Sequence, residues 1–224
     1  MTDPNLPPHR SQVGILIFED VEVLDFCGPF EVFSITTAEG QTGDDAQLYD
    51  VHIIAGSSGM VSCRNGLLVQ PHFTIDQHPD LGIVVVPGGR GTRQEVSNPR
   101  VLAWIEQQYA RVDLMTSVCT GAFLLAATGL LDGKSATTHW ASIDWLRENR
   151  PAITVRDHQR YVDEGRIITS AVSRLESTWP STWSSGCTGR RWPVNLPGTW
   201  NTPTGPRRPA GAPGPACRRA SRRP

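Results

Sequence analysis

A cysteine stands where a short apolar stretch meets an apolar helix. Residues 113–127 read DLMTSVCTGAFLLAA, with Cys119 at the small-residue corner and Gly121 two positions on. A strand-to-helix corner of this kind holds a nucleophile at the start of a helix. The helix dipole and free N–H groups favour an anion, so the pattern predicts a lowered pKa of the thiol and donors for an oxyanion. The alternative is a buried cysteine packed as a small hydrophobe.

A carboxyl follows the first apolar run of the chain. Residues 13–18, VGILIF, are typical of a buried parallel strand, and Asp25 comes shortly after it among Val23, Leu24 and Phe26. Ligands of open α/β sheets bind beyond the carboxyl ends of the strands, which is where this carboxyl is expected. The alternative is a helix-capping aspartate.

Paired glycines and a histidine complete the set of candidates. The apolar run 83–86 ends in Pro-Gly-Gly, and Gly88 and Gly89 permit close backbone approach to a ligand. A phosphate site is not favoured, because GxGxxG and Walker spacings are absent. His139 lies at the end of a short predicted strand, 135–140, where both a structural histidine and a functional one remain open.

The elements that must position these residues alternate between strand and helix. Strands are predicted at 13–18, 49–55, 83–86, 113–118, 153–155 and 166–170, with a hairpin across 61–70 around an Asn-Gly turn. Helices are predicted near 30–33, over 98–111, after the corner, and over 141–149. This order predicts a doubly wound, mostly parallel α/β sheet with helices on both faces.

Composition limits the class of protein. The chain has 224 residues and a formal net charge of −1, which gives no reason to expect a nucleic-acid or membrane partner. Its five cysteines form no CxxC pair, so neither a disulfide framework nor a metal site is expected. With neither a signal peptide nor a long apolar run in the sequence, we expect a cytoplasmic protein.

Four stretches together resemble one group of proteins: GILIFEDVEVLDFCGPFEVF, VVVPGGRG, TSVCTGAFLLAATGLLDGKSATTHW and RIITS. They resemble the ThiJ/PfpI superfamily, which has the flavodoxin-like fold of class I glutamine amidotransferases. The resemblance covers about residues 13–172. LDFCGP, SVCTGAFLL and ATTHW are similar to the isonitrile hydratase branch and to the amidase-like domains of AraC-type regulators.

The resemblance implies roles for particular residues. Cys119 takes the place of the family nucleophile, and Asp25 that of its acidic partner. Thr120 stands where the protease-like branch has histidine, which argues against a Cys-His protease. The backbone N–H groups near Gly88, Gly89 and Thr120 match the oxyanion-binding corner. His139 and Gly28 are candidate pocket residues.

The implied activity is a hydro-lyase reaction, in which an isonitrile is hydrated to an N-substituted formamide without a metal or organic cofactor. The expected partners are a small-molecule substrate and, with an intact C-terminus, a second copy of the chain. Two alternatives remain: a non-catalytic sensing domain related to those of AraC-type regulators, and a redox-sensing stress protein. No helix-turn-helix pattern follows Ser173, so DNA binding is not expected of the chain as written.

Composition also divides the chain. Residues 1–12 form a Pro-rich lead-in, 13–172 a single domain, and 173–224 a tail of Trp, Ser, Pro, Gly and Arg that replaces the helix of the resembled family. Both ends are expected to be disordered. Reading residues 174–189 from each codon's third base, with tryptophan fixed as TGG, allows AGIDMALHLVERLHG, an amphipathic helix. We therefore hypothesise that the tail is translated out of frame.

Overall fold

A seven-stranded sheet forms the centre of the protein. The computed structural model describes residues 10–38, 41 and 43–171. The strands are β1 (Ser11–Ile17), β2 (Tyr49–Ala55), β3 (Val61–Ser62), β4 (Leu68–Val69), β5 (Phe73–Thr74), β6 (Ile83–Val86), β7 (Leu114–Val118), β8 (Ser135–Ala136), β9 (Thr154–Val155), β10 (Tyr161–Asp163) and β11 (Ile167–Ser170). The lead-in predicted over residues 1–12 is wrong at its end, because Ser11 and Gln12 already pair with β2 as the first residues of β1. The rest of that segment and the tail with its out-of-frame hypothesis lie outside the described residues and remain predictions.

Helices connect these strands. They are α1 (Val23–Ile35), α2 (Thr92–Glu95), α3 (Pro99–Arg111), α4 (Ala122–Ala127) and α5 (Ile143–Asn149). The predicted helix over 98–111 is confirmed. It begins after Asn98, whose side chain accepts hydrogen bonds from the N–H groups of Arg100 and Val101. Helix α1 begins earlier than predicted and therefore includes Asp25 in its first turn.

The order of the main sheet is β10-β11-β7-β6-β1-β2-β5, and each neighbouring pair is parallel except β10 with β11. The mostly parallel doubly wound sheet is thus confirmed. Strand order reverses between β1 and β6, because the chain builds to one side after β1 and to the other after β6. Because connections between parallel strands are right-handed, the helices that connect strands on one side of β1 and those on the other side cover opposite faces of the sheet.

The reversal opens a crevice at the carboxyl ends of β1, β6 and β7. Ligands of doubly wound sheets bind at such a topological switch point. The strands leading to it are apolar and inaccessible: all four residues of β6 and all five of β7 are buried. A rigid core thus supports three adjacent loops, 18–22, 87–91 and 119–121.

Two predicted strands differ from the structure. β9 does not close the main sheet but pairs with β8 in a separate two-stranded sheet. The strand predicted over 135–140 ends at Ala136, since the next groups bond elsewhere. The Thr137 N–H donates to Thr169 Oγ1, and the Thr138 hydroxyl donates to the carbonyl of Cys119.

The Asn-Gly hairpin is confirmed. β3 and β4 pair antiparallel across a turn in which Asn65 and Gly66 both have positive φ, 65° and 86°. In the part of the chain that the structure describes, no helix is long and apolar enough to cross a membrane.

Candidate active site

Cys119 occupies a strained corner between β7 and α4. Its φ is +54°, a left-handed value that costs a residue with a β-carbon about 1–2 kcal/mol. A single 3₁₀ turn, Cys119–Gly121, links the strand to the helix. Strain of this kind persists where the surrounding structure holds it, often at functional sites. The predicted strand-to-helix elbow is confirmed in this backbone.

Asp25 lies against this corner from the first turn of α1, the helix that follows β1. Its side chain is 2% exposed, and its Oδ2 accepts the N–H of Gly88 at 3.2 Å. The carboxyl is also hydrogen-bonded to the thiol of Cys119. The aspartate therefore does not serve as a helix cap; its carboxyl points to the switch point. The structure thus brings together the two residues that the sequence singled out first.

The pKa values of Asp25 and Cys119 differ from what the sequence predicts. Burial raises the pKa of Asp25 to about 7, with a smaller contribution from the charge of Glu22, while its bonds to Cys119 and Gly88 oppose the rise. Burial and the Asp25 charge raise the pKa of Cys119 to about 12. The predicted lowering of the thiol pKa is therefore wrong. Bonds from Thr120 oppose the rise but are outweighed, and α4 begins only three residues later.

Gly88 and Gly89 bring the loop after β6 into contact with the corner. A β-carbon on Gly88 would lie 2.6 Å from Thr120 N and 2.7 Å from Asp25 Oδ2, so only glycine fits there. Gly89 has φ +129° and pairs with Val21 of the loop after β1. The three loops are therefore held together by direct backbone approach.

The N–H groups of these glycines hold side chains. That of Gly88 donates to Asp25, and that of Gly89 donates to Thr120 Oγ1 at 3.0 Å. Hydrogen bonding from the backbone and the side chain of Thr120 acts to lower the pKa of Cys119, and the Thr120 hydroxyl also donates to the Gly89 carbonyl at 3.3 Å. The sequence predicted the glycine N–H groups to be oxyanion donors. In this structure they orient the acid and the threonine instead.

Sequence reasoning missed Thr92, the first residue of α2. Its side chain is fully buried, and its hydroxyl lies 2.8 Å from the Gly89 carbonyl and 3.3 Å from Thr120 Oγ1. No sequence motif identifies Thr92 as a site residue, because a threonine after a Gly-rich loop is also typical of the start of a helix. Its role depends on β6 and β7 being neighbours, which only the sheet order shows.

The remaining candidates lie beside the site. Thr138 donates its hydroxyl to the Cys119 carbonyl at 2.9 Å and so anchors the elbow. The ring of His139 accepts the N–H of Ala141 at 3.3 Å, which is a structural cap. Burial lowers the pKa of His139, against the charge of Glu22. Gly28 follows Asp25 by three residues in α1, on the same helix face.

These features define a class: flavodoxin-like α/β proteins with a cysteine elbow and an acidic partner at the switch point. Residues 11–178 match the DJ-1/PfpI family, and the chain belongs to that family. Among the described residues, no group of three or more His, Cys, Asp or Glu side chains is arranged to hold a metal ion.

Relatives within the family differ in function. The chain is 37% identical over 158 residues to the isonitrile hydratase of Pseudomonas putida, covering 70% of this chain but 64% of that protein. It is 44% identical over 123 residues to the transcriptional regulator GlxA of Rhizobium meliloti, covering 54% of this chain and 37% of the regulator. The chain therefore spans less than two thirds of the length of either relative.

Solved structures agree on the architecture. A ThiJ/PfpI family protein from Pseudomonas syringae superposes with a TM-score of 0.64 at 30% identity, covering 77% of this chain and 69% of the other. DJ-1beta of Drosophila melanogaster gives a TM-score of 0.61 at 20% identity, covering 72% and 82%. The latter likeness concerns the fold alone.

Proposed function

We propose that this chain is an isonitrile hydratase-like enzyme, which adds water to an isonitrile to give an N-substituted formamide. The observation that carries the proposal is the buried, hydrogen-bonded pair of the Cys119 thiol and the Asp25 carboxyl at the switch point. The similarity to the hydratase of Pseudomonas putida supports it.

The terminal carbon of an isonitrile carries a lone pair and also accepts a nucleophile, so a nucleophile and a proton both add to that atom. In the first step the sulfur of Cys119 bonds to this carbon as its S–H bond breaks. Asp25 accepts the thiol proton and delivers it to the same carbon, whose lone pair forms the new C–H bond. The product is a thioimidate, R–N=CH–S, on the cysteine.

Water completes the reaction. Asp25 takes a proton from the water as the water oxygen bonds to the thioimidate carbon, and it passes this proton to the nitrogen. The C–S bond then breaks as the carbonyl forms, and Asp25 transfers the proton of the new hydroxyl group to the sulfur. The sum is one isonitrile and one water converted to R–NH–CHO, with Cys119 and Asp25 restored.

The electrostatics of the pair suit this chemistry. Addition to an isonitrile carbon consumes a proton together with the sulfur, so a thiol that retains its proton beside an acceptor is a suitable starting state. A carboxyl with a pKa of about 7 exchanges protons near neutral pH, where a general acid–base group is most effective. Thr120 stands at the position where a protease-like site would need a histidine, and a threonine hydroxyl does not serve as the base that such a site requires.

The structure disfavours one of the two alternatives, a redox sensor, and the comparisons lend some support to the other, a sensing domain. Oxidation of a cysteine proceeds through its thiolate, and the raised pKa of Cys119 keeps the thiol protonated, which disfavours a redox sensor. A sensing domain receives support from the similarity to regulators such as GlxA. Such a domain has no need of a proton-transferring carboxyl beside the thiol, so turnover distinguishes the two.

The test is conversion of cyclohexyl isocyanide to N-cyclohexylformamide, followed by gas chromatography–mass spectrometry. We expect turnover by the parent and none by Cys119→Ala. Cys27→Ala is the matched control, because Cys27 is an exposed free cysteine on α1. Formamide production by Cys119→Ala at the parental rate would refute the nucleophile assignment. Ligand binding by the parent without any formamide would favour the sensing domain.

A further inference from the structure

The nucleophile itself is the strained residue of the elbow. The φ of Cys119 is +54°, and a residue with a β-carbon gains free energy when it leaves this left-handed region. The helix start behind it is fixed by packing, because a β-carbon on Gly121 would lie 2.0 Å from the carbonyl oxygen of Val86. Since the helix start cannot shift, the movement left open to relieve the strain is a rotation of the Cys119 backbone.

A side-chain hydroxyl opposes this rotation. The Thr138 hydroxyl donates to the carbonyl oxygen of Cys119 at 2.9 Å, and the direction of the bond is unambiguous because a carbonyl oxygen only accepts. The bond restrains the ψ of the nucleophile, because the carbonyl oxygen of a residue moves when its ψ changes. The net free energy of a hydrogen bond is similar in size to the strain of a left-handed residue, so a single bond can offset that strain.

The donor is held in place by the main sheet. Thr137 and Thr138 are both inaccessible to solvent, and the N–H of Thr137 donates to Thr169 Oγ1 at 2.9 Å. Thr169 of β11 lies beside Ser117 of β7, two residues before the nucleophile, so the donor is fixed relative to the strand that carries the elbow. The Thr138 hydroxyl has no other hydrogen-bond partner among the residues that the structure describes, so its proton has no competing acceptor there.

We propose that Thr138 is a positioning residue of the site: by donating to the Cys119 carbonyl, its hydroxyl holds the nucleophile in the left-handed conformation of the elbow. The effect on turnover rests on the proposed function, because it needs the reaction to occur. The conformation of Cys119 does not depend on the reaction, so a spectroscopic measurement tests the positioning separately.

The measurement is the three-bond coupling between the amide and α protons of Cys119, which depends on φ. The full-length chain is made with ¹⁵N-labelled cysteine, and the signal that Cys119→Ala lacks identifies this residue among the five cysteines. In Thr138→Val a methyl group replaces the hydroxyl, so the strain at Cys119 is unopposed and the coupling should shift away from its parental value. Thr138→Ser keeps the hydroxyl and should retain the parental value.

Turnover of cyclohexyl isocyanide is the second readout. In Thr138→Val we expect kcat to fall by about 10- to 100-fold with little change in KM, because the sulfur leaves its reactive geometry while the rest of the pocket is kept. Thr138→Ser is expected to restore kcat.

Thr137→Val is the matched control. It removes a buried hydroxyl from the neighbouring residue, and that hydroxyl also donates to a carbonyl, that of Gln159 at 3.2 Å, which lies outside the site. The control should lose stability to urea to a similar extent as Thr138→Val, while its Cys119 coupling and its kcat should stay at the parental values.

A parental coupling in Thr138→Val would overturn the proposal, as would equal shifts in Thr138→Val and Thr138→Ser or an equal shift in Thr137→Val. A shifted coupling with parental turnover would also overturn it, because the conformation would then not matter to the reaction. If Thr138→Val and Thr138→Ala both fail to fold, the hydroxyl serves stability rather than the nucleophile, and the assignment is overturned. Absence of turnover in the parent and in every variant, with the coupling changes as expected, would refute the proposed function and leave the positioning role intact.

Discussion

Replacing Asp25 by asparagine is expected to abolish activity and, above neutral pH, to stabilise the protein. The asparagine keeps the shape of the aspartate, and its side-chain oxygen still accepts the N–H of Gly88. It cannot take or deliver the proton of the reaction. It also cannot ionise, so it removes whatever free energy the protein spends on holding a buried carboxylate.

That free energy follows from the pKa. The folded protein raises the pKa of Asp25 from 3.8 to about 7, mainly by burial. Between these values the folded state binds more protons than the unfolded state, so the free energy of unfolding falls as the pH rises through this window. At 1.36 kcal/mol per pKa unit the full loss is about 4 kcal/mol above pH 7, and it is below about 1 kcal/mol at pH 4.

The assay is urea unfolding of the parent and of Asp25→Asn at pH 4 and pH 8. At pH 8 the variant should gain up to about 4 kcal/mol, which for a chain of this size corresponds to on the order of 10 °C in melting temperature. At pH 4 the two should nearly coincide. Asp113→Asn is the matched control, since Asp113 is exposed just before β7 and should change neither curve.

The reasoning would be refuted by a variant that is less stable than the parent at pH 8, or by a difference that is the same at both pH values. The first result would mean that the fold favours the Asp25 carboxylate, and the second would mean that the pKa of Asp25 does not change on folding. Formamide production by Asp25→Asn at the parental rate would separately refute the role of this carboxyl in proton transfer.

Three further predictions concern the surroundings of the site. In Glu22→Gln the pKa of Asp25 should fall, because the charge of Glu22 raises it. Since the proposed reaction starts with Asp25 as a carboxylate, the low-pH limb of activity should then move to lower pH. Glu31→Gln, at an exposed position of α1, should change neither, as NMR titration of the Asp25 carboxyl would show. Gly89→Ala should lower the free energy of unfolding by at least about 1–3 kcal/mol, because φ is +129° and the new β-carbon would lie 2.4 Å from Glu22 N; an unchanged urea midpoint would contradict this. Asn98→Ala should cost about 1 kcal/mol through loss of the helix cap, measured in the same way, with no effect on turnover.

The sequence predicted those parts of the fold whose signal is local. The strand at 83–86 is an apolar run and that at 49–55 is rich in apolar residues, each is followed by turn residues, and the structure has both with the predicted limits. β5 and β10 were not predicted, because strands of two and three residues carry no period. β9 was assigned to the wrong sheet, since a short Thr-Val pair does not indicate which edge it joins.

The members of the candidate site were also predicted in part. Cys119 directly follows an apolar strand and Asp25 comes shortly after another, so the carboxyl-end rule predicts both at one crevice. Whether the thiol of Cys119 keeps its proton was not predictable from local sequence in the same way. A helix N-terminus is a local feature that lowers a cysteine pKa, whereas burial is set by the packing of β1, β6 and β7 around the corner.

This difference matters for function, because the two positions of the proton favour different reactions. A free thiolate at the elbow would favour attack on a carbonyl, where the N–H groups of Gly88 and Gly89 would have to receive an oxyanion. The structure instead has those groups bonded to Asp25 and Thr120, and a thiol that keeps its proton beside a carboxyl. Addition to an isonitrile carbon needs that proton and forms no oxyanion in its first step. A protonated thiol beside a carboxyl is the arrangement that joint delivery of sulfur and proton to one carbon requires, and this is the physical reason why we propose turnover of isonitriles before amides or peptides.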